Sequence, residues 1–261
     1  MSMSLIIAAA QSASVPGDIN RNAASHGRVA AVAAECGAQL LVFPELSLTG
    51  YELALARAHP VRPDSSELEP LRRLSLDAHM TVVAGGPMLN EHGQLHITAF
   101  IFHPDGSVSM YTKQHVHQSE EHVFTSGPGG AALLIENSTV ALAICADASH
   151  PQHAAHAAAH GANVYAVGAM ITEDAYVRKA GLLQTYAREH RMAVLLANYS
   201  GATGGEESAG KSAIWSEEGQ LVAACTGSEE ALLMATMHNG VWTGKVLPLS
   251  ASSAPTASSS S

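Results

Sequence analysis

Short, wholly apolar runs alternate along this chain with longer stretches in which apolar residues recur every third or fourth position, the rhythm of buried strands and amphipathic helices. Leu5-Ile6-Ile7-Ala8-Ala9-Ala10 predicts a first strand. Asp18 stands as the N-cap of a helix whose Val29, Val32, Ala33 and Cys36 share one face and which Gly37 stops. Leu40-Leu41-Val42-Phe43 reads as the next buried strand, followed by a helix over 68–79 and a strand at Thr81-Val82-Val83-Ala84-Gly85. The pattern then shortens to a hairpin, 96–103 and 108–111 about an Asp105-Gly106 turn. Alternation resumes with a strand from Thr139 into Cys145, a helix over 151–160 ended by Gly161, a strand at 163–167, a helix at 174–190 and a strand at 193–198. A last hairpin joins 212–215 to 221–224 through Glu218-Gly219. Strands alternating with helices and mixed with hairpins predict an α/β layered domain with mixed sheets.

The length of 261 residues suits one domain with a substantial core. That domain is taken as 1–249, because the Ser-rich stretch 250–261 has nothing to bury and reads as a disordered tail. A net charge of −10 argues against nucleic acid or an anionic membrane surface as partner. The N-terminal apolar run has no Lys or Arg before it and is too short for a signal peptide, and nothing approaches a membrane span. Cysteines at 36, 145 and 225 form no even framework and no C-x-x-C, which points to a reducing compartment, best the cytoplasm.

Within this pattern three positions carry chemistry. Cys145 ends the apolar run Thr139–Ile144 just before His150-Pro151 and an alanine-rich stretch. A strand–turn–helix there is expected to lift the side chain toward solvent at a helix N-terminus, where the macrodipole favours thiolate and makes Cys145 a nucleophile. Glu45 occupies the equivalent place after Leu40–Phe43, and strand ends on one edge of a sheet are where α/β proteins gather ligand-binding groups. Lys113 follows the strand 108–111, from which a cation could stabilise a thiolate and later an oxyanion. A thiol attacking an amide needs a base, a cation beside the forming O⁻ and an acid for the departing ammonia, and one glutamate can serve both proton steps.

Phe43-Pro44-Glu45, Tyr111-Thr112-Lys113-Gln114-His115-Val116 and Ile144-Cys145-Ala146-Asp147, in this order and spacing, resemble the nitrilase superfamily of carbon–nitrogen hydrolases. Glu120, four residues before Phe124 with Gly127 beyond, resembles that family's second glutamate; Glu121 is its rival, one residue short in offset. Tyr186–His190 and Gly210-Lys211-Ser212-Ala213-Ile214 resemble later landmarks. The resemblance implies a four-layer α-β-β-α sandwich, paired through its helices into a homodimer or larger homo-oligomer. It implies Cys145 as nucleophile, Glu45 as general base, Lys113 as the oxyanion-stabilising cation, Glu120 as the second carboxylate that orients substrate and lysine, and no metal or organic cofactor. It also implies a small amide or N-carbamoyl substrate, with a small nitrile second and a catalytically silent binding protein third. The aromatic residue that often follows the family's cysteine and the arginine a few residues later are absent from Ala146-Asp147-Ala148-Ser149-His150-Pro151-Gln152, so the pocket wall differs.

Other patterns resolve as less informative. Gly205-Glu206-Glu207-Ser208-Ala209-Gly210-Lys211-Ser212 satisfies a phosphate-loop pattern, but an apolar hairpin rather than a helix follows, and two acids inside the loop repel phosphate. His153, His156 and His160 share a helical face with His150 nearby; with no acid spaced among them, they read as a solvated or interface face rather than a zinc site. Cys36 and Cys225 read as core residues, and one of His115, His117 and His122 is a candidate for the pocket entrance.

Overall fold

The strand Ser4–Gln11 (β1) is buried along almost its whole length, so both of its faces need cover. Because side chains alternate along a strand, Leu5, Ile7 and Ala9 enter one core and Ala8 and Ala10 another. The second core lies beneath two helices, Ile19–Glu35 (α1) and Glu69–Ala78 (α3), between which comes the short helix Leu53–Ala56 (α2). The first core is shared with a second sheet, whose opposite face carries Pro151–Ala159 (α4) and Glu173–His190 (α5). The computed structural model describes residues 4–249, and its layers run helix, sheet, sheet, helix.

The first sheet continues from β1 through Leu40–Val42 (β2), Thr81–Leu89 (β3), Leu95–Phe102 (β4) and Val108–Thr112 (β5). The second contains Leu133–Ile135 (β6), Ser138–Ile144 (β7), Val164–Ala169 (β8) and Ala193–Asn198 (β9). A two-stranded flap, Ala202–Thr203 (β10) and Glu206–Glu207 (β11), precedes Ala213–Trp215 (β12), Leu221–Ala224 (β13), Ala231–His238 (β14) and Val241–Pro248 (β15). Spatial order is β15-β14-β1-β2-β3-β4-β5 in one sheet and β13-β12-β9-β8-β7-β6 in the other. The centre of each is parallel, β1-β2-β3 and β7-β8-β9, with antiparallel flanks. The parallel centres set the carboxyl ends of β2 and β7, where Glu45 and Cys145 stand, on the same rim.

Local chemistry explains most boundaries. The Asp18 carboxylate accepts from the Arg21 N–H at 3.0 Å to cap α1, and Gly37 takes φ 77° beyond the helix end. Gly106, at φ 82°, closes the β4–β5 hairpin. Cys36 sits at the C-cap of α1, half-buried against the helix-side core, and Cys225 is buried just past β13. Five strands go beyond the sequence reading: the short β6, the flap strands β10 and β11, and the pair β14–β15. The latter turns at Asn239 (φ 50°) and Gly240 (φ 79°), the left-handed pair of a tight two-residue hairpin. The expected disordered tail, 250–261, lies outside the described residues. No helix opens at Lys211, which precedes β12 and pairs with Glu173, so the phosphate-loop pattern forms no phosphate cradle. Among the described residues no helix is long and apolar enough to cross a membrane.

Candidate active site

Beyond β2 the Phe43 N–H still donates to Val83 O at 2.9 Å, and the chain then turns sharply through Pro44, Glu45 and Leu46. Leu46 adopts φ 54°, a conformation side chains resist. Two glycines fix this turn from either side. A Cβ on Gly85 of β3 would lie 2.3 Å from the Leu46 nitrogen, and one on Gly168 of β8 would lie 2.8 Å from the Phe43 carbonyl oxygen. The Glu45 turn is thus wedged between the two sheets where only glycine admits it.

At the end of β7, Cys145 also takes a left-handed conformation, φ 45°, and opens a five-residue 3-10 turn, Cys145–Ser149. Fully buried Asp147 stitches this turn together. Its Oδ2 accepts from the Ile144 N–H (3.1 Å) and the Tyr111 hydroxyl (2.9 Å); its Oδ1 accepts from the N–H groups of Gln114 (3.0 Å) and His115 (2.7 Å). One carboxylate therefore fastens the segment after Lys113 to the Cys145 turn.

Lys113 extends β5 by donating its N–H to Ile97 O at 2.8 Å, which aims the side chain inward. Its ammonium, wholly buried, lies 2.6 Å from Glu45 Oε1 and 2.8 and 2.7 Å from the two Glu120 oxygens. Glu120 is placed by a helical turn in which the Phe124 N–H donates to its carbonyl at 2.9 Å, the local cause of the four-residue spacing to Phe124. Its Oε1 accepts from the Tyr51 hydroxyl at 2.6 Å and its Oε2 from the His117 N–H at 2.8 Å. Glu121 is exposed, so the turn gives Glu120 to the lysine and its neighbour to solvent. All four positions singled out in the sequence come together here, with Lys113 in the middle.

The electrostatics differ from expectation at one point. Burial, and then the Glu45 charge, push the Cys145 thiol up to about 12, and Lys113 only partly offsets them. A short 3-10 turn supplies little dipole, so the thiol rests protonated, its Sγ donating to Met170 O at 3.7 Å. Burial likewise raises Glu45 to about 7 against the pull of Lys113. Burial alone would depress Lys113, but the surrounding charges, Glu45 foremost, hold it above the ordinary lysine range. The site is thus a neutral thiol close to a weak carboxylate whose Oε2 is buried without a hydrogen-bond partner.

Two contributors escape a reading of the sequence. Tyr51 anchors Glu120 and, through its N–H to Thr203 Oγ1 at 2.9 Å, ties the site to the flap. His153 lies inside the wall rather than on a solvated face, its ring within 2.8 Å of both the Tyr111 and Tyr165 hydroxyls; His156 and His160 remain exposed. His115 stacks on His150 with ring centres 3.9 Å apart. No group of three or more His, Cys, Asp or Glu among the described residues is arranged to hold a metal.

Comparison with known proteins agrees with this geometry. An amidase from Nesterenkonia sp. AN1, carrying the acetamide moiety of fluoroacetamide on its active-site cysteine, superposes with a TM-score of 0.82 over 90% of this chain and 91% of its own, at 28% identity. The 2-oxoglutaramate amidase of Bacillus subtilis is 27% identical over 201 residues, 76% of this chain and 77% of that protein. A nitrilase of Pyrococcus abyssi is 28% identical over 204 residues, 76% of each. With residues 6–243 matching the carbon-nitrogen hydrolase family over a fold and strand-end chemistry of this kind, the chain belongs to that family, within the nitrilase superfamily.

Proposed function

We propose that this protein is a thiol amidase that cleaves a small amide or N-carbamoyl compound through a thioester on Cys145, releasing ammonia. The observation that carries the reading is the buried contact of Lys113 with both Glu45 and Glu120, with the unpaired Glu45 oxygen beside the thiol. As sulfur attacks the amide carbon, Glu45 takes the thiol proton and the carbonyl π electrons move onto oxygen. Protonation of Glu45 weakens its hold on Lys113, freeing that cation's field for the new oxyanion at the moment it forms. The tetrahedral adduct collapses, the C–N bond breaks, and Glu45 returns its proton to the leaving nitrogen. Water, deprotonated by the same carboxylate, then attacks the thioester and regenerates the thiol. Glu120, held by Tyr51 and the His117 N–H, fixes the lysine throughout.

The amidase reading draws further support from the amidase neighbours, which match over nine-tenths of the chain. Nitrile hydrolysis is the second reading, favoured by the relative named as a nitrilase; it passes through the same thiol adducts. Residence in the cytoplasm and assembly as a homodimer through the helical layers complete the proposal, the former in keeping with three free cysteines. Ammonia release from a panel of short amides, N-carbamoyl amines and nitriles tests it. Amide turnover abolished by iodoacetamide and by Cys145→Ala is expected; turnover of nitriles alone, or of nothing despite Cys145 labelling, overturns it.

A further inference from the structure

The nucleophile's turn contains no cation of its own: residues 146–152 hold neither Lys nor Arg. One arrives from elsewhere. Lys179, on the second turn of α5, reaches back so that its ammonium donates to the hydroxyl of Ser149, the last residue of the turn that Cys145 opens. Lys179 also lines a small cavity with Cys145, Ala148, Val167, Ala169, Ile171 and Leu183, between β8 and the helix layer. Apart from the thiol, the other residues lining that cavity are apolar, and among the described residues no carboxylate lies within ion-pair distance of the ammonium. Half-buried, the ammonium keeps part of its hydration, and one favourable charge interaction adds to the Ser149 hydroxyl in holding it over this turn.

That interaction is with the sulfur. We infer that Lys179 is a positioning residue for the nucleophile: it clamps the Cys145 turn through Ser149, and its uncompensated charge stabilises sulfur as the proton leaves. The charged groups facing the sulfur are Glu45, Lys113, Glu120 and Lys179, and the first and third oppose its ionisation. Lys113 is shared between two carboxylates, whereas Lys179 pairs with none among the described residues, so the second cation adds a smaller pull on sulfur than Lys113 from the helix side. Lys179 in turn feels Arg178 and Lys113 as like charges and Cys145 and Glu45 as opposite ones, and His150 lies within range of it. Burial first, aided by Arg178 and Lys113 and opposed by Cys145 and Glu45, holds its pKa below the ordinary lysine value. The inference rests on Cys145 being the nucleophile, but its test needs no amide substrate.

The test is the pH profile of Cys145 alkylation by iodoacetamide, read site by site by mass spectrometry on the full chain, with Cys36 as internal control. Lys179→Met is expected to slow Cys145 labelling about threefold at pH 8 and to move its profile about half a unit upward, one pKa unit being a factor of ten in thiolate. Lys179→Arg, which keeps the charge, should restore most of the rate. An unmoved profile in Lys179→Met with native circular dichroism overturns the inference, as does a Lys179→Arg protein as slow as Lys179→Met. Should Lys179→Met not fold, Ser149→Ala releases the clamp alone: an upward move of the same sign supports the inference, and no move overturns it. Loss of amide turnover with an unmoved alkylation profile would count against this role and not against the amidase reading.

Discussion

The two turns that deliver Glu45 and Cys145 solve one problem by different physics. Both follow a parallel strand on the same rim, and both place a side-chain-bearing residue at positive φ. The Glu45 turn is held chiefly by shape: Gly85 and Gly168 let the backbones of two sheets close on it, with the Ser47 hydroxyl accepting from the Gly85 N–H at 3.1 Å as a side-chain brace. The Cys145 turn is held by hydrogen bonds, four of them converging on Asp147, with Lys179 at its far end. Shape tolerates no added atom but survives changes of pH; a carboxylate hub tolerates small shifts but fails when its charge or acceptor pattern changes. Glu45 is thus set rigidly, and Cys145 is set by a network that also fixes the lysine segment.

The largest effect is expected from Glu45→Gln, which keeps the shape of the wedged turn and removes the base: kcat for any amide the wild type turns over should fall about a thousandfold or more, while Cys145 remains open to alkylation. The same variant carries a stability signature. Because the folded pKa of Glu45 is raised from 4.5 to about 7, the folded state binds the proton more tightly than the unfolded chain, and wild-type stability falls as pH rises from 4.5 through 7. Urea titrations should show that this fall is missing in Glu45→Gln; an equal fall in both proteins contradicts the assignment.

Next in size, Gly85→Ala forces a Cβ against the Leu46 nitrogen and should cost about 3 kcal/mol by urea denaturation. An alanine tolerated within about 0.5 kcal/mol would show that the wedge is not shape-limited. Asp147→Asn keeps the volume but turns an NH2 group toward N–H donors, so about 2 kcal/mol should be lost, with slower Cys145 alkylation as the turn loosens. In the free enzyme, kcat/KM should rise about tenfold per pH unit up to about pH 7 and then level as Glu45 becomes fully ionised; a limb near pH 4.5 would place the base elsewhere. Tyr51→Phe is the mildest, about 1 kcal/mol in stability and a few-fold in kcat from one lost hydrogen bond to Glu120.

How far the molecule could be read from its sequence follows the same division. Apolar runs ending at Glu45 and Cys145 were legible because a parallel strand buried on both faces has a distinctive composition, and the spacing from Glu120 to Phe124 is a helical-turn contact written into neighbouring positions. The thiol's pKa was not legible, because it depends on a carboxylate a hundred residues away along the chain (145 − 45) and on burial rather than on the local turn. Asp147 sat in plain view beside Cys145, yet two of its four donors come from the segment after Lys113 and a third from Tyr111, which no local pattern announces. His153 looked like part of a solvated stripe because helical spacing shows which residues share a face but not what packs there. The β14–β15 hairpin did carry a signal, Asn239-Gly240, but Ala231–Met237 mixes strand-like and helix-like spacing before it.

That hairpin has a consequence for how the protein comes into being on the ribosome. β1 is flanked by β2, made soon after it, and by β14, which pairs with all eight of its residues from the opposite end of the described chain. Until residue 238 has emerged, one margin of β1 stands open with its backbone donors and acceptors unmet, an invitation to stray strands. Completion of the first sheet is therefore a late event, and a message broken before codon 231 would leave a nascent product with Glu45, Lys113, Glu120 and Cys145 already made and its central sheet unsealed.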